Sequence, residues 1–232
     1  MKKCKSTFGL NLCMGAFFTC FTFIFFLSLT LSLSMCAFNS FAQSGWTYEQ
    51  KFNSLNDGNL AGQDGWVNRR STVASVGNYG PYEGAKNVQM PIAQDLVTEY
   101  SRDISPVSDG IVYVAIKKSS TTVSQYIFFQ NVYNDYCFVL AYGLGQNNNN
   151  IKICDKNTSV CETVLSGGAN DVNYVVAIEF DGALDRVRAK VLNGESWSAW
   201  TNWVSTVFTT VGTIDLYSNG TTGGAFAYVD TF

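Results

Sequence analysis

Residues 174–192, YVVAIEFDGALDRVRAKVL, carry the most regular alternation of apolar and polar side chains in this chain. The apolar side chains occupy every second position of two arms, which are separated by a turn at residues 182–185. They are Tyr174, Val176, Ile178 and Phe180 on the first arm, and Val187, Ala189 and Val191 on the second. A period of two on both sides of a turn is typical of a β-hairpin with one buried face.

The other face of this hairpin carries opposite charges on its two arms. Glu179 and Asp181 lie on the first arm, and Arg186, Arg188 and Lys190 lie on the second. If the turn closes so that Asp181 faces Arg186, then Glu179 faces Arg188. Each such cross-strand pair contributes about 0.2–1 kcal/mol. The charges therefore predict the register of the hairpin as well as its existence.

The rest of the chain after residue 42 repeats the same kind of pattern. Short apolar runs alternate with turns rich in Gly, Asn and Asp, and one clear hairpin joins QYIFFQ to YCFVLAYGLG through residues 131–135. No segment has a sustained period of 3.6 residues with helix caps. We predict an all-β fold, an antiparallel two-sheet β-sandwich in a single domain. Residues 48–52 and the terminal AFAYVDTF both resemble strands, and we expect these first and last strands to pair.

The N-terminal residues have the features of an export signal. Three lysines, Lys2, Lys3 and Lys5, precede a charge-free apolar run over about residues 17–38, and Ser-Phe-Ala at residues 40–42 fits a cleavage site. We expect residues 1–42 to be a signal peptide and residues 43–232 to be the sandwich domain. The run is also long enough for a retained membrane anchor, and Cys36 offers a poorer, lipoprotein-type alternative. The protein is expected to be secreted, periplasmic or on the cell surface.

Composition excludes several function classes. Cleavage would remove three lysines and no acid, which takes the formal net charge from −3 to −6. An acidic domain lacks the basic surface that nucleic-acid binding needs. The chain has no histidine, so Ser-His and Cys-His nucleophile systems are absent. We expect no membrane partner for the mature domain unless the N-terminal segment is retained.

The cysteines predict one disulfide. Cys154 and Cys161 flank the turn DKNTSV, where a hairpin would place their sulfur atoms opposite each other across neighbouring strands. Such a bridge persists in the oxidising environment that an exported protein meets. Cys137 is expected to be free and buried in a strand. The chain after residue 42 has three cysteines, and three without a histidine or a close C-x-x-C pair do not predict a zinc site.

The opening pattern F-x(7)-L-x-G-Q-D-G-W, from Phe52 to Trp66, resembles the start of bacterial concanavalin A-like lectin/glucanase domains, the LamG-like jelly rolls. The strand around residues 84–90, SRDISPVSDGIVYVAI, the hairpin at 174–192 and the terminal AFAYVDTF also fit the layout of that family. The resemblance implies a jelly roll. It does not decide the function, because the family includes sugar-binding modules, adhesive domains and glycosidases.

The family's retaining glycosidases carry an E-x-D-x-x-E arrangement on one strand, whose end carboxylates act as nucleophile and proton donor. The nearest match begins at Glu179 and Asp181, but Leu184 stands where the pattern requires Glu. We therefore predict no catalytic residues and an exported, non-catalytic module that binds a polysaccharide or surface glycan. The alternatives are a structural or adhesive protein that binds other proteins, and a divergent glycoside hydrolase.

Aromatic side chains are the candidates for glycan contact, because sugar C–H faces stack on aromatic rings. Tyr79 and Tyr82 flank Gly-Pro in a predicted loop. In a regular strand Trp197 and Trp203 would share a face and Trp200 would point the other way. We predict Tyr79, Tyr82 and Trp200 as the glycan contacts, and Trp66 as a core residue.

No cofactor is expected, and a structural calcium ion is left open. Asp57, Asn59 and Asp64 offer oxygen ligands, and Asp230 would approach them if the terminal strands pair. These residue types are equally typical of turns, which is the interpretation we favour.

Overall fold

The computed structural model describes residues 49–92, 97–145, 148–221 and 223–230. Within these ranges the chain forms sixteen β-strands and no helix. The strands are β1 (Gly58–Asn59), β2 (Val67–Asn68), β3 (Ser75–Gly77), β4 (Asn87–Ile92), β5 (Thr98–Val107), β6 (Asp109–Lys118), β7 (Val123–Gln130), β8 (Tyr136–Tyr142), β9 (Ile151–Asp155), β10 (Cys161–Leu165), β11 (Tyr174–Asp181), β12 (Arg186–Asn193), β13 (Ser196–Trp197), β14 (Val204–Ser205), β15 (Val211–Gly220) and β16 (Ala225–Asp230).

The strands form two sheets in which every pairing is antiparallel. Sheet A has the order β1-β3-β4-β16-β6-β11-β12-β13, and β14 also pairs with β12. Sheet B has the order β10-β9-β8-β7-β15-β5-β2. Side chains of the two inner faces form one apolar core. The predicted all-β, two-sheet antiparallel sandwich is confirmed.

The hairpin of β11 and β12 has the register that the charges predict. The Cα partners are Glu179 with Arg188 and Asp181 with Arg186. All seven apolar side chains of the alternating pattern are buried. Strand β11 also pairs along its whole length with β6, so the hairpin is an interior part of sheet A.

The N-terminal end of the described chain departs from the sequence-based prediction. Residues 49–52 form no strand, and β16 pairs with β4 and β6. Phe52 has a positive φ of 54° and its amide donates to the side-chain carbonyl of Gln50 at 2.7 Å. The Gln50 side chain thus accepts a hydrogen bond from an amide that would otherwise pair with a neighbouring strand. Phe52 therefore fills the core without belonging to a sheet. Trp66 is 1% exposed and lies 6.2 Å from the Phe52 ring, which confirms it as a core residue.

The disulfide between Cys154 and Cys161 is present, and it joins directly opposed positions of β9 and β10. Cys137 is free and buried in β8. Burial raises the pKa of the Cys137 thiol to about 12, so this thiol is unreactive at neutral pH. Both cysteine predictions are confirmed.

Removing this bridge should lower stability by a moderate amount. Because the bridge closes a short loop, the chain-entropy model assigns it about 2 kcal/mol. We expect the double variant Cys154→Ala/Cys161→Ala to lose about that much free energy of unfolding in urea titrations. The double variant should be insensitive to reductant, whereas the wild type should fall to the same stability when reduced. A mass-mapped bridge to Cys137 would contradict the assignment.

The described residues belong to one compact unit, Thr47–Phe232. They include no helix long and apolar enough to cross a membrane. The predicted signal segment at residues 1–42, with its cleavage site, lies outside the described residues.

Candidate functional site

The outer face of sheet B carries a cluster of four aromatic rings. Tyr126 and Phe128 point outward from β7, and Tyr217 lies directly opposite Tyr126 on β15. Ring centroids are 5.7 Å apart for Tyr126 and Phe128, 5.6 Å for Tyr126 and Tyr217, and 5.9 Å for Phe128 and Tyr217. Tyr136 of β8 completes the cluster at 4.7 Å from Phe128. None of the four rings is fully buried, so they form an aromatic platform on the surface.

A cleft of about 300 Å³ opens beside this platform. Its walls combine three of the rings with side chains of the turns that follow β8 and β9, namely Leu144, Lys156, Asn157 and Thr158, and with Asn219 of β15. Asn219 donates from Nδ2 to the Tyr217 hydroxyl at 3.4 Å. Its Oδ1 atom is buried and accepts no hydrogen bond from any described residue. The cleft thus combines apolar rings with polar side chains, among them the amides of Asn157 and Asn219.

Asp215 lies next to this platform on the same face of β15, opposite Phe128. The residue is 3% exposed. Its Oδ2 atom accepts a long hydrogen bond of 3.3 Å from the side chain of Gln130, and its Oδ1 atom has no hydrogen-bond partner within the described chain. Burial, followed by the nearby carboxylate of Glu99, raises the pKa of Asp215 to about 7.

Charged side chains of β5 and of the segment after β2 border this acid. Glu99 forms an ion pair of 2.7 Å with Arg70, and Arg69 donates from Nε to Ser101 Oγ at 2.6 Å. Burial raises the pKa of the Tyr136 phenol, and the charge of Asp215 raises it further. Such a convergence of titratable groups at a cleft is typical of functional sites.

The outer face of sheet A carries a different arrangement, in which tryptophans and cations interleave. Residues 198–203 run beside β12 without forming strand. The hydroxyls of Ser198 and Thr201 accept hydrogen bonds from the amides of Val191 and Ala189, at 3.0 and 3.1 Å. These side chains bond to amides that a regular strand would pair with backbone carbonyls. The segment therefore contains more residues than the part of β12 beside which it runs. Its tryptophans occur at every third residue.

All three tryptophans consequently meet the outward cations of β12. Arg188 lies 4.9 Å from the Trp200 ring and 4.3 Å from the Trp203 ring, and Lys190 lies 4.7 Å from Trp200. In addition, Arg186 contacts the Trp203 ring and Lys190 contacts the Trp197 ring. The expectation that Trp200 points away from its two neighbours is therefore wrong, because it assumed a regular strand. We call this arrangement the tryptophan ladder.

The carboxylates of the hairpin support the ladder. Glu179 lies 2.6 Å from Arg188, and Asp181 lies 3.2 Å from Arg186. The predicted ion pairs are confirmed.

Tyr79 and Tyr82 lie in the loop between β3 and β4. Tyr79 is half-buried, with its ring 6.4 Å from that of Tyr228 on β16, and its carbonyl oxygen accepts from Lys117 at 2.7 Å. Tyr82 is 47% exposed. Strands β6 and β11 separate β16 from β12, so about 14 Å in the hydrogen-bonding direction lies between the two regions. The structure does not bring Tyr79 and Tyr82 together with Trp200.

The four residues considered for calcium are engaged elsewhere. Asp57 pairs with Lys86, and Asp64 with Arg102, while Asn59 Oδ1 accepts from the Ala61 amide at 2.9 Å. Asp230 accepts from the amide of Glu83 at 2.8 Å. In the part of the chain that the structure describes, no three His, Cys, Asp or Glu side chains are grouped so as to hold a metal ion.

Comparisons with known proteins establish the fold. No protein-family model and no curated protein matches this chain. Among solved structures, a sialidase matches with a TM-score of 0.57 at 12% identity over 80% of this chain. The match spans only 18% of the sialidase chain. The Crh5 transglycosylase matches with a TM-score of 0.52 at 14% identity, over 79% of this chain and 81% of its own.

The catalytic domain of a glycoside hydrolase family 131 protein from Coprinopsis cinerea also matches, with a TM-score of 0.51 at 14% identity. That match covers 78% of this chain and 93% of the hydrolase domain. This chain therefore has a concanavalin A-like jelly-roll fold, as its sequence resemblance implies. At these identities the likeness concerns the fold alone.

Proposed function

We propose that this protein is an exported, non-catalytic module that binds a polysaccharide or surface glycan in the cleft on the outer face of sheet B. The observation that carries the proposal is that three rings of the platform, Tyr126, Phe128 and Tyr217, line this cleft together with the amides of Asn157 and Asn219. Sugar rings present C–H faces to such rings and hydroxyls to such amides. The N-terminal sequence predicts an export signal, and the disulfide fits an oxidising compartment.

The fold neighbours support a carbohydrate ligand, since they include a glycoside hydrolase and a transglycosylase whose structure was also solved with NAG. Two observations favour binding without catalysis. Glu179 and Asp181 are held by arginines, and the Asp215 carboxyl lies below the surface at 3% exposure. A hydrolase is the alternative, since the pKa of Asp215, near 7, would suit a general acid.

Removing one ring of the platform should abolish most of the affinity. A stacked ring at a true hot spot contributes about 2 kcal/mol or more, roughly thirtyfold in affinity. We expect Tyr217→Ala and Phe128→Ala to lose about this much in calorimetric titrations with laminarin, xylan or polygalacturonate. Thermal unfolding should show that both variants remain folded.

Tyr133→Ala is the matched control, because Tyr133 lies in the turn between β7 and β8 and is 81% exposed. It should bind like the wild type. Tyr79, Tyr82 and Trp200 stay predicted contacts, and their alanine variants belong in the same titration. If affinity falls in those variants and not in Tyr217→Ala, the site lies on sheet A. Release of reducing sugar that Asp215→Asn abolishes would establish the hydrolase instead.

A further inference from the structure

Asp215 is a carboxyl group in a place where ionisation is unfavourable. It is 3% exposed, its Oδ1 atom has no hydrogen-bond partner in the described ranges, and its Oδ2 atom accepts only a long bond from Gln130. A buried carboxylate needs several good hydrogen bonds or a cation in direct contact. This site supplies neither, so the neutral acid is the form that fits it.

The position of Asp215 links its charge to the aromatic platform. Its Cα atom is opposite that of Phe128 on β7, and Tyr217 follows two residues later on the same face of β15. The phenol of Tyr136 is close enough for its pKa to respond to the charge of Asp215. Three of the four rings of the platform therefore adjoin this one carboxyl group.

Charged and titratable groups face Asp215 from each neighbouring element. They are Glu99 and Asp103 on β5, Arg69 and Arg70 after β2, Tyr136 on β8 and Tyr217 on β15. Glu99 opposes ionisation of Asp215, whereas the two arginines favour it. Both arginines already bond to other groups, Arg70 to Glu99 and Arg69 to Ser101. Neither donates a hydrogen bond that neutralises Asp215.

We propose that Asp215 makes ligand binding in the sheet B cleft depend on pH. The protonated carboxyl supports the packed platform, and its ionisation places an unpaired charge beside Phe128 and Tyr217 and loosens them. The proposal rests on the function proposed above. Burial and Glu99 raise the pKa of Asp215 to about 7, so the transition falls within the pH range of ordinary extracellular environments. Binding is strong below that pH and weakens as the pH rises through it.

The first test is the affinity of the wild type and Asp215→Asn for laminarin, xylan and polygalacturonate at about pH 5.5 and about pH 8.5. We expect the wild type to bind about tenfold more weakly at the higher pH, a coupling of ordinary size. Asp215→Asn carries a neutral isostere and should keep the acid-form affinity at both values. Glu99→Gln removes the group that opposes ionisation, so its transition should move to lower pH. A flat wild-type profile would overturn the pH coupling and leave glycan binding intact.

The second test needs no ligand. Hydrogen exchange of peptides covering β15 (Val211–Gly220) compares wild type and Asp215→Asn at the same pH, which cancels the intrinsic pH dependence of exchange. We expect equal exchange at about pH 5.5 and several-fold faster exchange in the wild type at about pH 8.5. Equal exchange rates of the wild type and Asp215→Asn at both pH values would overturn the proposal. This outcome can be observed even if no polysaccharide binds.

Discussion

Replacing Asp215 with asparagine should raise the free energy of unfolding at about pH 8 by roughly 3–4 kcal/mol. Each pKa unit between the folded and unfolded states is about 1.36 kcal/mol. The pKa of Asp215 is about 7 in the folded protein, compared with 3.8 for a free carboxyl. Asparagine keeps the shape and removes the charge, and with it this cost.

The pH window follows from the sign of the shift. Between about pH 4 and pH 7 the folded state holds a proton that the unfolded state has released. Asp215 therefore makes the wild type less stable as the pH rises through this window. Urea unfolding at about pH 4, 6 and 8 should show the two proteins equal at the lowest value and increasingly different above it.

Asp181→Asn is the matched control for this measurement. Asp181 lies on the outer face of sheet A and pairs with Arg186 at 3.2 Å. Its replacement should cost at most about 1 kcal/mol, because the pair is partly exposed. A wild type at least as stable as Asp215→Asn at about pH 8 would show that the carboxyl has a partner after all. If Asp215→Asn has the higher free energy of unfolding, the wild type carries a residue that destabilises it, which is the pattern expected of a functional site.

Local pattern was enough to predict much of the fold. The hairpin of β11 and β12 could be predicted with its register because a period of two and a four-residue turn leave one way to bury Val176 and Val191 together. The same reasoning placed Cys154 opposite Cys161. Both predictions depend on residues close in sequence, where chain geometry decides which side chains meet.

The sheet B cleft was missed because its parts are distant in sequence. Phe128 and Tyr217 meet only when β7 pairs with β15, a pairing that local alternation does not reveal. One signal was available in TIDLYS, where Asp215 stands between Ile214 and Leu216 in an otherwise uncharged strand. An acid at such a position indicates either an exposed face or a functional group, and the sequence alone does not distinguish them.

The tryptophan ladder escaped prediction for a different reason. The prediction for the segment W-S-A-W-T-N-W assumes the period of a regular strand. The hydroxyls of Ser198 and Thr201 bond to β12 in place of backbone carbonyls. The period along this segment is consequently three, and every tryptophan points to the same face. A serine or threonine after each of the first two tryptophans was the available signal.

This arrangement leads us to expect that Trp200→Ala lowers the free energy of unfolding by about 2–3 kcal/mol. The ring is half-buried, and it lies 4.9 Å from Arg188 and 4.7 Å from Lys190. Each cation contributes about 0.5–1 kcal/mol at a partly exposed site, and the lost packing accounts for the rest. Urea titration of the variant measures the change.

Trp197→Ala should cost less, because Trp197 ends the ladder, is 40% exposed and has a single cation over its ring in the described part of the chain. The comparison also tests the predicted role of Trp200 in glycan contact. Unchanged affinity of Trp200→Ala for polysaccharide, once its lower stability is allowed for, would show that the ring stabilises sheet A and contacts no glycan. Loss of affinity at unchanged stability would instead show that a sugar ring displaces Arg188 or Lys190, and that the ladder is a binding surface.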